Sequence, residues 1–356
     1  MHKFLHSYAS GRLSRMLTIS GVALLILYLS YKAPTPVVLS RWAPFAQAMV
    51  AIAAPAQAIL SIQATTQALA TPTTGWAAFE IYSSESDLIE SVANGQLRLY
   101  QRKLQQGSIV YAMLTLGDQV FLETIHADGA TPGSDATGDT IWLDGNQHLQ
   151  PVSALVAAPY AQRPGANLIG ALAFGFHGDL RTSDEGTVVS DGKILRINTG
   201  RAALCISAAG QARIGLFDAA QLQQCQQAFG AGPILMLAGK IVHPDLQQET
   251  QDFLPFNPLH EDFTQIDWRR TVYAGNYPKT IIGIGQQENG RSYAVLLTSY
   301  DATGLDVMQE LRAMGCTEAI GGDDDSSTQL VWRGAMTVAR PVRAVPDAIG
   351  IYIKTR

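Results

Sequence analysis

The stretch between Gly304 and Trp332 constrains the fold more than any other. Leu305, Met308, Leu311 and Met314 recur at helical spacing within residues 304–314, and Asp306 stands near the positive end of the helix dipole. A polar run follows, Gly321-Gly322-Asp323-Asp324-Asp325-Ser326-Ser327-Thr328, and Gln329 to Trp332 is apolar and β-prone. The polar run is expected where a short strand leaves a helix and turns back into the sheet. Loops held by rigid elements are where sites tend to be built. A solvated acidic turn is the plain alternative.

The three adjacent carboxylates set the chemistry of this run. Like charges 4 Å apart repel by about 1 kcal/mol in water and about 4 at an effective dielectric of 20. A buried arrangement needs a cation, hydrogen-bond donors or a retained proton. Calcium or magnesium on the oxygens of Asp324 and Asp325 would supply the first, although the spaced pattern of an EF-hand is absent.

The rest of the chain reads as α+β: a mixed, β-rich sheet core with a few helices. Apolar runs at 97–103, 108–116, 119–126, 279–285, 292–298 and 349–353 read as strands. Residues 187–195 form a strand, an Asp191-Gly192 turn and a strand, and 202–217 a second hairpin around Ala209-Gly210. Residues 167–176 suit a strand buried on both faces. Residues 86–92 read as a short capped helix and 219–229 as a longer one. Residues 128–139 are a Gly/Asp/Thr/Ser loop and 243–276 an irregular cover.

A net charge of -5 gives no basic footprint for a nucleic-acid partner. Cys205, Cys225 and Cys316 have no metal-finger spacing. They read as small buried hydrophobes, with a Cys205–Cys225 bridge open to them in an oxidising compartment. Most histidines are scattered. His177 instead follows an apolar run beside Gly178 and Asp179, a place that suits a general acid/base, a phosphate contact or a solvated strand end.

At the N-terminus Lys3, Arg12 and Arg15 precede a charge-free run from Met16 to Tyr31. A basic segment before an apolar core is the pattern of a signal peptide or a signal anchor, and Tyr28 and Tyr31 favour the anchor. Residues 1–31 are thus expected to engage the membrane, and 32–76, rich in Ala and Gln, to form a stalk. Residues 42–60 are a weaker candidate for a second span. Residues 77–356 form the main domain, placed outside the cytoplasm.

Several pieces, in order, resemble the phosphodiester glycosidase family. Residues 97–102 and 110–116 resemble its opening strands. Gly186-Thr187-Val188-Val189-Ser190-Asp191-Gly192-Lys193 matches its turn, and Gly232-Pro233-Ile234-Leu235 with Gly239-Lys240 its Gly-Pro element. Pro278-Lys279-Thr280-Ile281-Ile282-Gly283-Ile284 stands where the family has Pro-Arg-Thr, and the acidic run stands where it has Asp-Gly-Gly-Gly-Ser. Asp323, Ser327 and Thr328 are retained. The glycines are lost, Lys replaces Arg at 279, and no Asn precedes Gly175.

The resemblance implies hydrolysis of a sugar-phosphate diester in an envelope or exported glycan. It gives Asp323 an acid/base or orienting role, with His177 as a second acid/base. Lys279 becomes a phosphate-facing point charge rather than a bidentate clamp. Thr280, Ser327, Thr328 and Gly232 become substrate contacts. Asp324 and Asp325 put negative charge where the substrate's anion belongs, unless they point outward or hold a cation. A glycan-binding module that keeps the fold without turnover is the competing expectation.

Overall fold

The computed structural model describes residues 75–84, 87–117, 119–127, 149–175, 186–262, 273 and 275–355. The N-terminal segment, the 128–139 loop and His177 lie outside these. No helix among the described residues is long and apolar enough to cross a membrane.

Helix α1 (Gly75–Ser84) opens the domain and is followed by strands β1 (Asp87–Val92), β2 (Leu97–Lys103), β3 (Ser108–Thr115) and β4 (Val120–His126). Helix α2 (Val152–Ala157) precedes β5 (Ala166–Leu172) and the hairpins β6 (Val188–Ser190) with β7 (Lys193–Arg196) and β8 (Ala203–Ile206) with β9 (Ala212–Gly215). One turn of helix, α3 (Ala219–Leu222), leads to β10 (Gln227–Gly230), β11 (Ile234–Leu237), β12 (Lys240–Val242) and β13 (Phe253–Leu254). The long hairpin β14 (Lys279–Gln286) and β15 (Ser292–Tyr300) is followed by α4 (Gly304–Ala313). The chain ends with β16 (Glu318–Gly321), β17 (Leu330–Trp332), β18 (Ala335–Met336) and β19 (Asp347–Lys354).

Among the described residues these strands make three sheets. The first runs β1-β2-β3-β15-β14-β16-β11-β12-β13, the second β7-β6-β10-β8-β9 and the third β18-β17-β5-β19-β4. Every residue of β15 is buried, so the first sheet is covered on both faces at its centre. On one face α1 and α4 meet: the Trp76 and Phe79 rings lie 5.4 and 5.9 Å from Tyr293, whose hydroxyl donates to the Met314 carbonyl. Gly283 is needed there, because a Cβ would stand 2.8 Å from Cys316 Sγ.

The main core takes in Leu204, Ile206 and Phe229 of the second sheet and Leu172, Leu330, Ile349 and Ile351 of the third. Their sequence neighbours turn the other way, as strand alternation requires. Ala171, Ala173, Val331 and Ala348 pack with Val152 and Leu155 of α2, and Ala203, Cys205 and Ala228 pack with Leu222. Both small sheets thus carry a second apolar layer.

Two expected helices are corrected. Residues 87–92 are a strand because they pair antiparallel with β2; the two-residue period toward that partner outweighs a single turn's capping signal. Of residues 219–229 only Ala219–Leu222 is helical, begun by a capping box of Asp218 and Gln221. Gln227–Gly230 is drawn into a strand by pairing with both β6 and β8. A disulfide joins Cys205 to Cys225, and Cys316 is free and buried.

Candidate functional site

The acidic run does not turn back into the sheet it leaves. It carries the chain from β16 of the first sheet to β17 of the third. Its backbone is fastened almost residue by residue: the amides of Gly321, Gly322, Asp323 and Asp325 donate to the carbonyls of Pro233, Thr280, Phe174 and Pro278, at 2.8–2.9 Å. Gly322 has no space for a side chain, since a Cβ would meet Phe174 Cδ2 at 2.5 Å and its carbonyl oxygen at 2.8 Å. A single 3-10 turn, Asp325–Ser327, completes the crossing, with Asp325 in the left-handed region at φ 52°.

The side chains converge on a guanidinium. Asp323, 3 % exposed, accepts from Arg343 Nη2 at 2.6 Å on one oxygen and from the Asp324 amide at 2.9 Å on the other. Arg343 Nε donates to Ser327 Oγ, and the Arg343 amide donates to the Ser326 carbonyl at 2.9 Å. Part of the Arg343 side chain stays exposed, 41 % against 5 % for Asp323, so a planar cation looks outward from a buried anchor. Arg340 Nη2 stands 3.9 Å from Asp325, whose carboxylate is mostly exposed.

Asp324 differs from its neighbours. Its Oδ2 is buried with no hydrogen-bond partner among the described residues. Burial first, and Asp323 second, push its carboxyl up to about 6, against the lowering pull of Lys279. Thr280 Oγ1 and Thr328 Oγ1 are likewise buried without partners. Such groups cost about 1–3 kcal/mol each when left without a partner.

Lys279 turns away from the expected role. Its ammonium donates to the carbonyls of Gly275, Tyr277 and Ala302 at 2.6, 2.6 and 2.9 Å. These satisfy its three protons, so the lysine ties the 275–302 region together instead of facing a phosphate. Burial lowers its pKa to about 8. Gly232 comes to the loop through its neighbour Pro233, with φ +89° and a cis Gly232–Pro233 bond. The space over it is filled, because a Cβ would meet Glu261 Oε2 at 2.4 Å. Glu261 spends its oxygens on the amides of Ala202 and Ile234, at 2.9 and 2.7 Å, and burial raises its pKa. It braces the Gly-Pro turn.

The carboxylates of the run give the metal expectation no support. No group of three or more His, Cys, Asp or Glu side chains able to hold a metal ion occurs among the described residues. Asp324 faces inward while Asp325 faces Arg340 and solvent, so the two carboxylates do not converge. Repulsion in the run is relieved by the Arg343 guanidinium and the Asp324 amide, both on Asp323. Thus the structure brings together Asp323, Asp324, Ser327, Thr280 and Thr328, leaves Lys279 and Gly232 in supporting positions, and adds Arg343. Sequence reasoning missed Arg343 because it lies in an irregular segment twenty residues downstream, with no motif or periodicity to mark it.

The sequence profile of the phosphodiester glycosidase family matches residues 166–352, which hold the whole of this cluster. The chain belongs to the phosphodiester glycosidase family. The match begins after β4, so the strands at 97–103 and 108–115 stand outside it. A solved structure of a hypothetical protein from Synechocystis shares the fold at 14% identity and a TM-score of 0.53, covering 73% of this chain and 63% of its own. The chain therefore spans less than two thirds of that protein. The zebrafish N-acetylglucosamine-1-phosphodiester alpha-N-acetylglucosaminidase catalytic domain, auto-inhibited by its pro-peptide, also matches. Its identity is 14% and its TM-score 0.46, over 80% of this chain and 96% of that one. No curated protein matches. Family membership supports a hydrolase-like function at the level of the family.

Proposed function

We propose that this chain hydrolyses a glycosyl phosphodiester in an envelope or exported glycan. The observation that carries the reading is a pair of adjacent carboxyls in opposed environments. Asp323 accepts from Arg343 and from a backbone amide, whereas half-buried Asp324 beside it has one oxygen without a partner among the described residues and a carboxyl pushed up to about 6. Neighbouring carboxyls in unlike surroundings are the usual equipment of glycoside cleavage.

In this reading Arg343 contacts the phosphate through the N–H groups not spent on Asp323 and Ser327. Asp323 positions that guanidinium. Protonated Asp324 no longer repels the diester. Water adds at the anomeric carbon and the bond to the phosphate oxygen breaks, leaving the electron pair on that oxygen. Asp324 delivers its proton there, and the proton lost by the water returns to Asp324 through solvent. Thr280 and Thr328 hydroxyls donate to substrate oxygens.

Placement outside the cytoplasm, with the N-terminal segment at the membrane, is supported by the basic-then-apolar leader and by the Cys205–Cys225 bridge. A second reading, a glycan-binding module without turnover, is favoured by the satisfied ammonium of Lys279 and by aspartates at the family's glycine positions. Incubating the full-length protein with a panel of glycosyl phosphodiesters, N-acetylglucosaminyl among them, separates the two. Sugar release that disappears in Asp323→Asn supports the hydrolase. No release from any diester, or undiminished release by the variant, sinks it.

A further inference from the structure

Pro278, Lys279 and Thr280 back the acidic run. The carbonyls of the outer two accept from the Asp325 and Gly322 amides at 2.9 and 2.8 Å. Alternate carbonyls of extended backbone point to one side, and residue 279 between them pairs with Ser299 of β15 on the other. Thr280 lies inside β14, where the ladder fixes it. Pro278 precedes the strand and has no amide of its own to anchor it. Its carbonyl is therefore placed by its two neighbours.

One ammonium holds both of those neighbours. Lys279 is 1 % exposed, and its Nζ reaches back to the carbonyls of Tyr277 and Gly275 and across to that of Ala302, before α4. With its three protons spent, the lysine has none left for a ligand. Its charge also bears on the run. Burial lowers its pKa to about 8, a fall that Asp324 and then Asp306 of α4 oppose. Burial, Asp323 and Asp325 raise the Asp324 carboxyl, while Lys279 and, after it, Arg343 pull it down.

We propose that Lys279 is a positioning residue for the acidic run: it sets the Pro278 carbonyl that holds Asp325, and it keeps one positive charge fixed near Asp324. Its place in a reaction rests on the hydrolase reading, but both effects are read without substrate. Carbon-detected NMR on the isotope-labelled full-length protein follows the Asp324 carboxyl, assigned through Asp324→Asn. In wild type the signal should titrate near 6 and show a second, smaller inflection near 8, as Lys279 loses its proton. Lys279→Arg keeps the cation, so it should retain the first inflection and lose the second. Lys279→Met should lose the second and move the first to higher pH. Its Asp325 amide should exchange roughly tenfold faster than in wild type, the order of one lost buried hydrogen bond, while β4 and β19 keep their protection.

The assignment is overturned if Lys279→Met leaves the Asp324 titration where it was, or leaves the Asp325 amide as protected as before. If Lys279→Met does not fold, wild type and Lys279→Arg decide: no inflection near 8 in wild type, or one that persists with arginine, overturns it. On a glycosyl phosphodiester that is turned over, Lys279→Met should lower kcat more than it changes KM. A raised KM with kcat unchanged would make the lysine a substrate contact and overturn its positioning role. The expected NMR results without turnover of any diester would keep the positioning and reject the hydrolase.

Discussion

In the proposed reaction two residues decide whether an anion is admitted to this site. Asp324 has its pKa raised to about 6, and the sign of the consequence is fixed by linkage. The folded chain holds that proton more tightly than the unfolded one. Its contribution to stability is therefore complete below the unfolded carboxyl pKa of about 4 and is lost as pH rises through about 6. Asp324→Asn should abolish that part of the decline in urea stability between pH 4 and 7, and should leave the protein more stable than wild type at pH 7. Activity should fall in wild type as pH passes about 6, because the proton donor and the neutral approach to the phosphate go together. A pH profile that is flat through that range would reject the role given to Asp324. Arg343 is the second residue. Arg343→Ala strands the Asp323 carboxylate in its pocket, which should cost about 1–3 kcal/mol in unfolding free energy, tempered by the exposure of the arginine. Arg343→Lys should recover much of that stability but not kcat/KM, because an ammonium lacks the planar fork that would grip Asp323, Ser327 and phosphate together. Equal kcat/KM for the lysine variant would show that charge alone is needed.

At the scale of elements, local signals and long-range partners divide the fold between them. The β14–β15 hairpin, α4 and the hairpins turning at Asp191-Gly192 and Gly210 were all legible, because each is defined by periodicity and turn chemistry within a dozen residues. Residues 87–92 were misread because their partner β2, not their own sequence, makes them extended. Residues 227–230 were misread for the same reason, with a strand on either side and a covalent tie at Cys225. That tie gives a prediction of its own. The bridge closes a separation of 20 residues, and opening it should return about 3 kcal/mol of conformational freedom to the unfolded chain. Reduction, or Cys225→Ser, should lower the denaturant midpoint accordingly. The effect should fall on the second sheet, where Cys205 pairs with Arg213 and Ala228. Hydrogen exchange should then speed up in β8 and β10 before β14 and β15. Uniform loss of protection across all three sheets would contradict this.

For the molecule as a whole, the decisive fact is that the acidic run bridges two sheets. The position of the loop was legible, as were Asp323 and its hydroxyl neighbours, because the run is chemically unlike its flanks. The partition into three sheets was not, since no strand's own residues record which distant strand it will join. The inward turn of Lys279 was equally hidden, because the carbonyls that hold it come from residues 275, 277 and 302. A site built across a junction needs something to hold the junction, and Gln329 does so. It is fully buried; its Oε1 accepts from the Val152 amide at 2.9 Å, and its Nε2 donates to the Arg343 carbonyl at 2.9 Å. Its own carbonyl accepts from the Ala173 amide at 3.0 Å. One side chain therefore connects the start of α2, the end of the acidic run and the segment that carries the guanidinium. Gln329→Leu keeps the volume roughly constant but leaves the Val152 amide and the Arg343 carbonyl without their partners, at about 1–3 kcal/mol for a buried group. The fold should survive, because the sheets and their cores are untouched. Arg343 should lose its fixed aim, so kcat on a glycosyl phosphodiester should drop by more than the loss of folded protein explains. Circular dichroism, the unfolding midpoint and active-site kinetics on the same preparation test this. A variant that is destabilised yet keeps full kcat would mean that Asp323 and Ser327 alone suffice to hold the guanidinium.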